Sequence, residues 1–258
     1  MKYLSFKPII LLLFIGMTIL SCGSRKKIIY LQTSNSNAIK NNVSYEPIIQ
    51  RDDVLMIVVS AENQEVTAPY NMKLVSVLDN SEIATGRERL QTYLIDKDGD
   101  IEFPILGKIR LAGLTRIEAV KKMKLLLANH IKDAIVNLRI LNFKISVLGE
   151  VNRPGVHTVD SERITLLEAL SLSGDLTIYG KRNSILVIHE KDGVKTIEKV
   201  DITNSDFINS PNYYLSQNDV VYVEPNKTKV NNSVIGPNIS IALSAISLLI
   251  TIIALTTR

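Results

Sequence analysis

The pattern Thr-x-x-Glu-Ala occurs twice, at Thr115–Ala119 and at Thr165–Ala169, and no other feature constrains the fold as much. A threonine hydroxyl before a helix can accept the N–H three residues on. The glutamate at that position can in turn accept the threonine's own N–H, so each copy predicts a helix start. The first helix is expected over Thr115–His130, with Ile117, Val120, Met123 or Lys124, and Leu127 on one face. The second is expected over Thr165–Ser173. A further echo joins Arg51-Asp52-Asp53-Val54-Leu55-Met56-Ile57 to Gln217-Asn218-Asp219-Val220-Val221-Tyr222-Val223, each a polar turn entering an apolar strand. Turn, strand and capped helix therefore recur within segments of fewer than about 100 residues, a length typical of one small domain. A chain of 258 residues can bury two such cores. The expected class is α+β, as two small tandem domains, with too few repeats for a solenoid.

Between these landmarks the chain alternates strands and turns. Asp53–Ser60, Ala134–Leu141 and Lys144–Leu148 read as strands, and Asn152-Arg153-Pro154-Gly155 as a turn. Thr92–Ile95 and Ile101–Ile105 are expected to pair as a hairpin around Asp96–Asp100, and Ile185–Glu190 with Val194–Val200 around Asp192-Gly193. The Asp-rich turn is a poor calcium loop: an EF-hand starting at Asp96 needs Gly sixth and Glu twelfth, and those positions hold Ile101 and Gly107.

The first 22 residues have the layout of an export signal. Lys2 and Lys7 form a basic start, Ile9–Leu20 is an apolar run too short to span a bilayer comfortably, and Ile19-Leu20-Ser21-Cys22 closes it. An aliphatic residue, a small one and then cysteine make a bacterial lipobox, so residues 1–21 are read as a lipoprotein signal peptide and Cys22 as the lipidated residue. Cys22 is the sole cysteine, which excludes a disulfide within the chain. Losing Lys2 and Lys7 with the signal lowers the formal charge from +4 to +2, so the basic pI is not a nucleic-acid footprint. Arg25-Lys26-Lys27, directly after the lipid site, fits anionic headgroups. Residues 22–44, rich in Ser, Asn and Lys, read as a tether with room for a short strand at Ile28–Leu31.

Residues 231–257 contain no charged side chain, and Ile239–Leu255 is dominated by Ile, Leu and Ala. Residues 229–258 are expected to form a transmembrane helix. Ser240, Ser244, Ser247 and Thr251 fall on one face of it. That stripe either lets neighbouring helices approach closely, with hydroxyls bonded to their own carbonyls, or lines a wet lumen in a ring of helices. Both readings imply self-association.

No reactive site emerges. His130, His157 and His189 are dispersed, each read as a surface or strand residue, and no metal-ligand spacing, nucleophile elbow or phosphate loop is present. Neither a cofactor nor an enzymatic activity is expected.

Several of these stretches resemble a known family. Tyr45–Val59 (YEPIIQRDDVLMIVV) is similar to the opening of the polysaccharide biosynthesis/export domain, with Asp52 where that domain usually has glycine. Ile101–Ala119 (IEFPILGKIRLAGLTRIEA) closely resembles its most diagnostic segment. Val147–Ala169 (VLGEVNRPGVHTVDSERITLLEA) and Asn218–Val223 resemble the start and closing strand of a soluble-ligand-binding β-grasp (SLBB) domain. The resemblance implies a Wza-like outer-membrane polysaccharide export lipoprotein. Its parts would be an export domain over 45–142, an SLBB domain over 143–228 and the C-terminal helix. It further implies a homo-oligomeric ring with its body in the periplasm, a capsular or extracellular polysaccharide as substrate, membrane lipid at the anchor, and an inner-membrane chain-length regulator of the tyrosine-kinase-type co-polymerase class as partner. The alternative is a lipid-anchored periplasmic scaffold or glycan-binding module without a pore.

Overall fold

A computed structural model describes residues 25–32, 45–76, 87–191, 193–234 and 238–256. Cys22, expected to carry the lipid, and residues 1–21, expected to be a signal peptide, lie outside the described residues.

The N-terminal half is built around β1 (Val54–Ser60), whose side chains alternate between half-buried and buried, so Leu55, Ile57 and Val59 all enter one core. β2 (Lys73–Ser76) and β3 (Arg87–Leu90) form a separate ribbon. β4 (Thr92–Leu94) pairs with β1, while β5 (Asp100–Phe103) pairs with β6 (Gly107–Arg110). The hairpin expected between the segments around Asp96–Asp100 is thus corrected: the two strands diverge into different sheets. The turn itself is tight, since the Asp96 side chain accepts the N–H groups of Asp98 (2.9 Å) and Asp100 (2.8 Å), and it turns the chain from one ribbon to the next.

α1 (Arg116–Leu127) follows, with both halves of the capping box between Thr115 and Glu118 formed. It buries Ala119, Met123 and Leu127, a strict i, i+4, i+8 row. That row selects Met123 over Lys124 and leaves Ile117 more than half exposed, so Ile117 is removed from the expected core face. β7 (Ile135–Ile140) then returns antiparallel to β1, giving the sheet order β4-β1-β7.

The second half is a five-stranded mixed sheet in the order β12-β11-β14-β8-β9. Its strands are β8 (Lys144–Gly149), β9 (Gly155–Thr158), β11 (Gly180–Lys191), β12 (Val194–Val200) and β14 (Val220–Pro225). β10 (Ile164–Thr165) and β13 (Tyr214–Leu215) make a small pair beside it. α2 (Leu166–Leu172), capped by Thr165 and Glu168, buries Leu166, Ala169 and Leu170. β8 and β14 run parallel, which requires the chain between them to cross over; α2 and the β11–β12 hairpin lie in that connection. Each half has its own buried cluster, and Ile140, at the end of β7, touches both.

α3 (Lys227–Val234) continues from β14, and α4 (Asn238–Thr256) is the last helix. Among the described residues no helix is long and apolar enough to cross a membrane, so the transmembrane helix expected within 229–258 is corrected. The physical reason is length: the apolar run Ile239–Leu255 rises only ~25 Å at 1.5 Å per residue, against a hydrocarbon core of about 30 Å. Asn238 and Thr256, at its two ends, add no apolar length.

Candidate functional site

Two turns of the same design face each other where the halves meet. In Gln50–Asp53, Asp52 has φ +66° and the Asp53 carboxylate accepts the Gln50 N–H at 2.8 Å. In Ser216–Asp219, Asn218 has φ +65° and the Asp219 carboxylate accepts the Ser216 N–H at 2.6 Å. The echo between the two segments is therefore structural. Asp and Asn are the non-glycine residues that best tolerate a left-handed backbone, which explains why neither turn needs glycine at this position.

Asn142, in the short link between β7 and β8, ties the turns together. Its side chain accepts from Val54 N–H (2.9 Å) and donates to Asp52 O (2.9 Å). Its own carbonyl accepts from the Gln217 amide (2.8 Å), whose oxygen accepts the Lys144 N–H (2.8 Å). Tyr45 adds a second tie: its hydroxyl donates to Leu215 O (3.0 Å) and its ring stacks on Tyr214 at 4.8 Å. Asp53 is fully buried, with Oδ1 lacking a hydrogen-bond partner. Burial pushes its carboxyl up to about 6, against the pull of the Gln50 N–H and the nearby Gln217 amide.

A second polar cluster crosses the five-stranded sheet. His189 Nδ1 meets Asp219 Oδ2 at 2.8 Å, and His189 Nε2 meets Asn212 Oδ1 at 2.7 Å. The Asn212 amide is oriented by donating to Glu198 at 2.5 Å. Both ring nitrogens thus face acceptors, which only the doubly protonated imidazolium satisfies. The hydrogen bond to Asp219 chiefly, opposed by burial and helped by Asn212, raises the His189 pKa to about 9. This is a fixed positive charge, with neither nitrogen available as a base. His157 Nε2 lies 2.9 Å from Ser173 Oγ, but Ser173 is fully buried and its hydroxyl donates to Ala169 O, so the pair is structural. His130 meets the Tyr70 ring edge-on. No group of acids, histidines or cysteines able to hold a metal occurs among the described residues.

Residues 25–32 are held against the second half of the fold. Arg25–Lys27 forms one turn of 3₁₀ helix, and the N–H groups of Leu31 and Gln32 then donate to Ile202 O and Thr203 O. Tyr30 packs on the second core, donates its hydroxyl to Asp175, and lies under the guanidinium of Arg182.

On α4, Ser247 Oγ donates to Ser244 O (2.9 Å) and Thr251 Oγ1 to Ser247 O (2.8 Å). Three of the four stripe hydroxyls, at Ser244, Ser247 and Thr251, are exposed, and the Ser240 side chain lies outside the described residues. Around them Ile241, Leu248, Leu249 and Leu255 are each more than half exposed.

Sequence reasoning missed Asn142, Gln217 and His189. The first two carried a usable signal, since a lone amide between two apolar strands and a Gln beside an Asp turn both ask for backbone partners. His189 carried none, because its two partners, Asn212 and Asp219, lie more than 20 positions away in the chain.

The polysaccharide biosynthesis/export protein family model matches residues 41–141, and an SLBB domain model matches residues 143–223. An EPS I polysaccharide export outer membrane protein, EpsA, of Ralstonia solanacearum is 29% identical over 192 residues, and its namesake of Ralstonia nicotianae 28% over 192 residues. In both cases 72% of this chain and 50% of the relative are covered, so the chain spans about half the length of the curated relatives it matches.

Proposed function

We propose that this chain, which matches the polysaccharide biosynthesis/export protein family over residues 41–141 and an SLBB domain over residues 143–223, serves the export of a capsular or extracellular polysaccharide at the outer membrane. The observation that carries this reading is the order of parts. An export domain leads directly into an SLBB domain through a link held by Asn142 and Gln217, and relatives similar over 192 residues are named as outer-membrane export proteins. The two groups that come nearest to a reactive pairing are committed elsewhere: His189 is pinned as a cation and Ser173 is buried. A transport role needs surfaces and fixed geometry rather than a nucleophile.

The oligomer is part of the proposal. α4 presents aliphatic side chains to solvent around its circumference, and exposed apolar surface on that scale calls for a cover. Further copies of the chain supply it in a homo-oligomeric ring. Ser240, Ser244, Ser247 and Thr251 would form the close-packed seam, because hydroxyls bonded to their own helix leave a small, neutral face. Cys22 would hold each subunit to lipid, and an inner-membrane chain-length regulator would deliver the polymer.

Deleting the gene should remove surface polysaccharide and leave polymer in the periplasm, and restoring the full chain should reverse both. Unchanged surface polysaccharide in the deletion strain would refute the export reading. Sedimentation of the detergent-purified chain tests the ring: a monomer would refute it and favour a scaffold or glycan-binding module.

A further inference from the structure

Two segments that flank the SLBB domain in the chain, residues 25–32 and 226–229, both lie against one end of its sheet. On the N-terminal side, Tyr30 bonds Asp175 and lies 5.5 Å from the Arg182 guanidinium carbon, and Arg182 in turn donates to Thr177 O and Gly180 O. On the C-terminal side, Gly180 pairs with Pro225, Asn226 N–H donates to Tyr179 O at 2.7 Å, and Lys229 lies 5.3 Å over the Tyr179 ring. The stretch 175–182 is thus the common floor under the segment arriving from Cys22 and under the start of α3.

The side chains that surround this floor have a definite chemistry. Arg25, Lys26, Lys27 and Lys227 are exposed, and among the described residues none has a carboxylate partner. The acids of the same edge are already engaged: Asp175 by Tyr30 and the Leu176 N–H, Glu150 by Lys229 and Thr177, Glu224 by Lys181 and Ser184. The cations therefore stand uncompensated. Interleaved with them are Ile28 at 44%, Ile29 at 39%, Ile178 at 59% and Val230 at 47% exposure. Free cations mixed with exposed aliphatic side chains suit a lipid–water boundary, where phosphates meet the first and acyl chains the second.

We propose that this edge of the SLBB domain is a membrane-seating surface for anionic phospholipid. Its cations contact headgroup phosphates, and Ile28, Ile29, Ile178 and Val230 enter the boundary layer. The seat goes beyond the export reading and does not depend on any transported polymer. It is also within reach of the lipid site, since Cys22 precedes Arg25 by a length of chain that extends at most ~10 Å. A seat formed by packed residues sets the tilt of the domain on the bilayer, which a lipid on a flexible stalk cannot do.

The test uses the full chain carrying Cys22→Ala, so that no acyl group contributes. Binding is measured by co-sedimentation with vesicles of phosphatidylcholine plus phosphatidylglycerol and with phosphatidylcholine alone. Anionic vesicles should be preferred, and the preference should fall as salt rises. Changing Arg25, Lys26 and Lys27 together to Gln should weaken binding to anionic vesicles roughly 100-fold, at ~5-fold per cation. Changing Lys97, Lys121 and Lys132 to Gln removes the same charge elsewhere and should leave binding within about 3-fold. Ile28→Ser with Ile178→Ser should weaken binding to both vesicle types. Equal losses from the two charge triplets, or no preference for phosphatidylglycerol, would overturn the proposal. Circular dichroism of each variant verifies the fold, and export is not among the readouts, so failure of the export reading leaves this result intact.

Discussion

At the scale of single residues, Asp219 is the busiest group in the SLBB domain. It closes the turn before β14 through Ser216 N–H and holds His189 as a cation on the neighbouring strand. The stability this contributes has a pH window with a definite sign. The folded His189 pKa, about 9, lies above the ordinary value of 6.5. Stabilisation is therefore complete below about 6.5 and is lost as pH rises through 9. Urea midpoints of the intact chain should fall between those limits. His189→Gln should flatten that dependence and cost about 1–3 kcal/mol at pH 6, because Asp219 stays buried without its charged partner. A midpoint independent of pH in the unmodified chain would contradict the assignment. Nothing about this cation is visible in the sequence, since His189 and Glu198 on paired strands, Asn212 in a 3₁₀ turn and Asp219 in the turn before β14 are brought together only by the tertiary fold. Asp52 and Asn218 are the opposite case. Both were readable as turn residues from their neighbours, and both adopt the positive φ that such turns need.

At the scale of elements, the two capped helices were legible because the capping box is a local device. Thr115 with Glu118 and Thr165 with Glu168 satisfy helix-end N–H groups without help from the rest of the fold. Strand partners were not legible. Thr92–Leu94 and Asp100–Phe103 flank a turn that looks like a hairpin loop, yet β4 is captured by β1 and β5 by β6. Which neighbour wins depends on where Tyr93 and Phe103 find their shared core, with ring centroids 5.1 Å apart. The junction of β8 and β14 gives the sharpest prediction. Gly149 has φ +89°, and a Cβ there would sit 2.1 Å from Val223 O. That oxygen also accepts the Glu150 N–H at 2.9 Å. Gly149→Ala should therefore push β8 away from β14 and destabilise the domain by at least ~2 kcal/mol, read as a lower thermal midpoint. A thermal midpoint equal to that of the parent chain would mean that the two strands can separate there freely.

At the scale of the whole molecule, the two domains meet through polar groups as well as apolar ones. Ile140 supplies the shared apolar contact, while Asn142, Gln217 and Tyr45 supply directional bonds from each side to the other. Hydrogen bonds have preferred angles, so a link of this kind holds an orientation that apolar contact alone would leave loose. Asn142→Ala with Gln217→Ala should leave both cores folded, by unchanged circular dichroism, and should make the link between β7 and β8 several-fold easier to cleave by limited proteolysis. Cleavage at the parental rate would show that Ile140 and the Tyr45–Tyr214 stack are sufficient. At the far end of the molecule, α4 differs from the membrane-crossing segment that its composition suggested. Hydropathy was readable, but the helix adds only Asn238 and Thr256 to the apolar run, which stays too short to cross.

The amino-acid sequence by itself determined the parts of this protein: two small α+β domains in order, their capped helices, their acidic turns, and their likeness to the export-protein and SLBB models. Those properties depend on residues close in the chain, where a side chain and the backbone it satisfies are a few positions apart. Tertiary structure alone decided which strands pair, that His189 is a buried-side cation, that Asn142 and Gln217 lock the domains, and that Arg25–Gln32 lies on the same edge as the start of α3. Each of these joins groups far apart in the chain. Their energies depend on distance and burial, which exist only after the chain has folded.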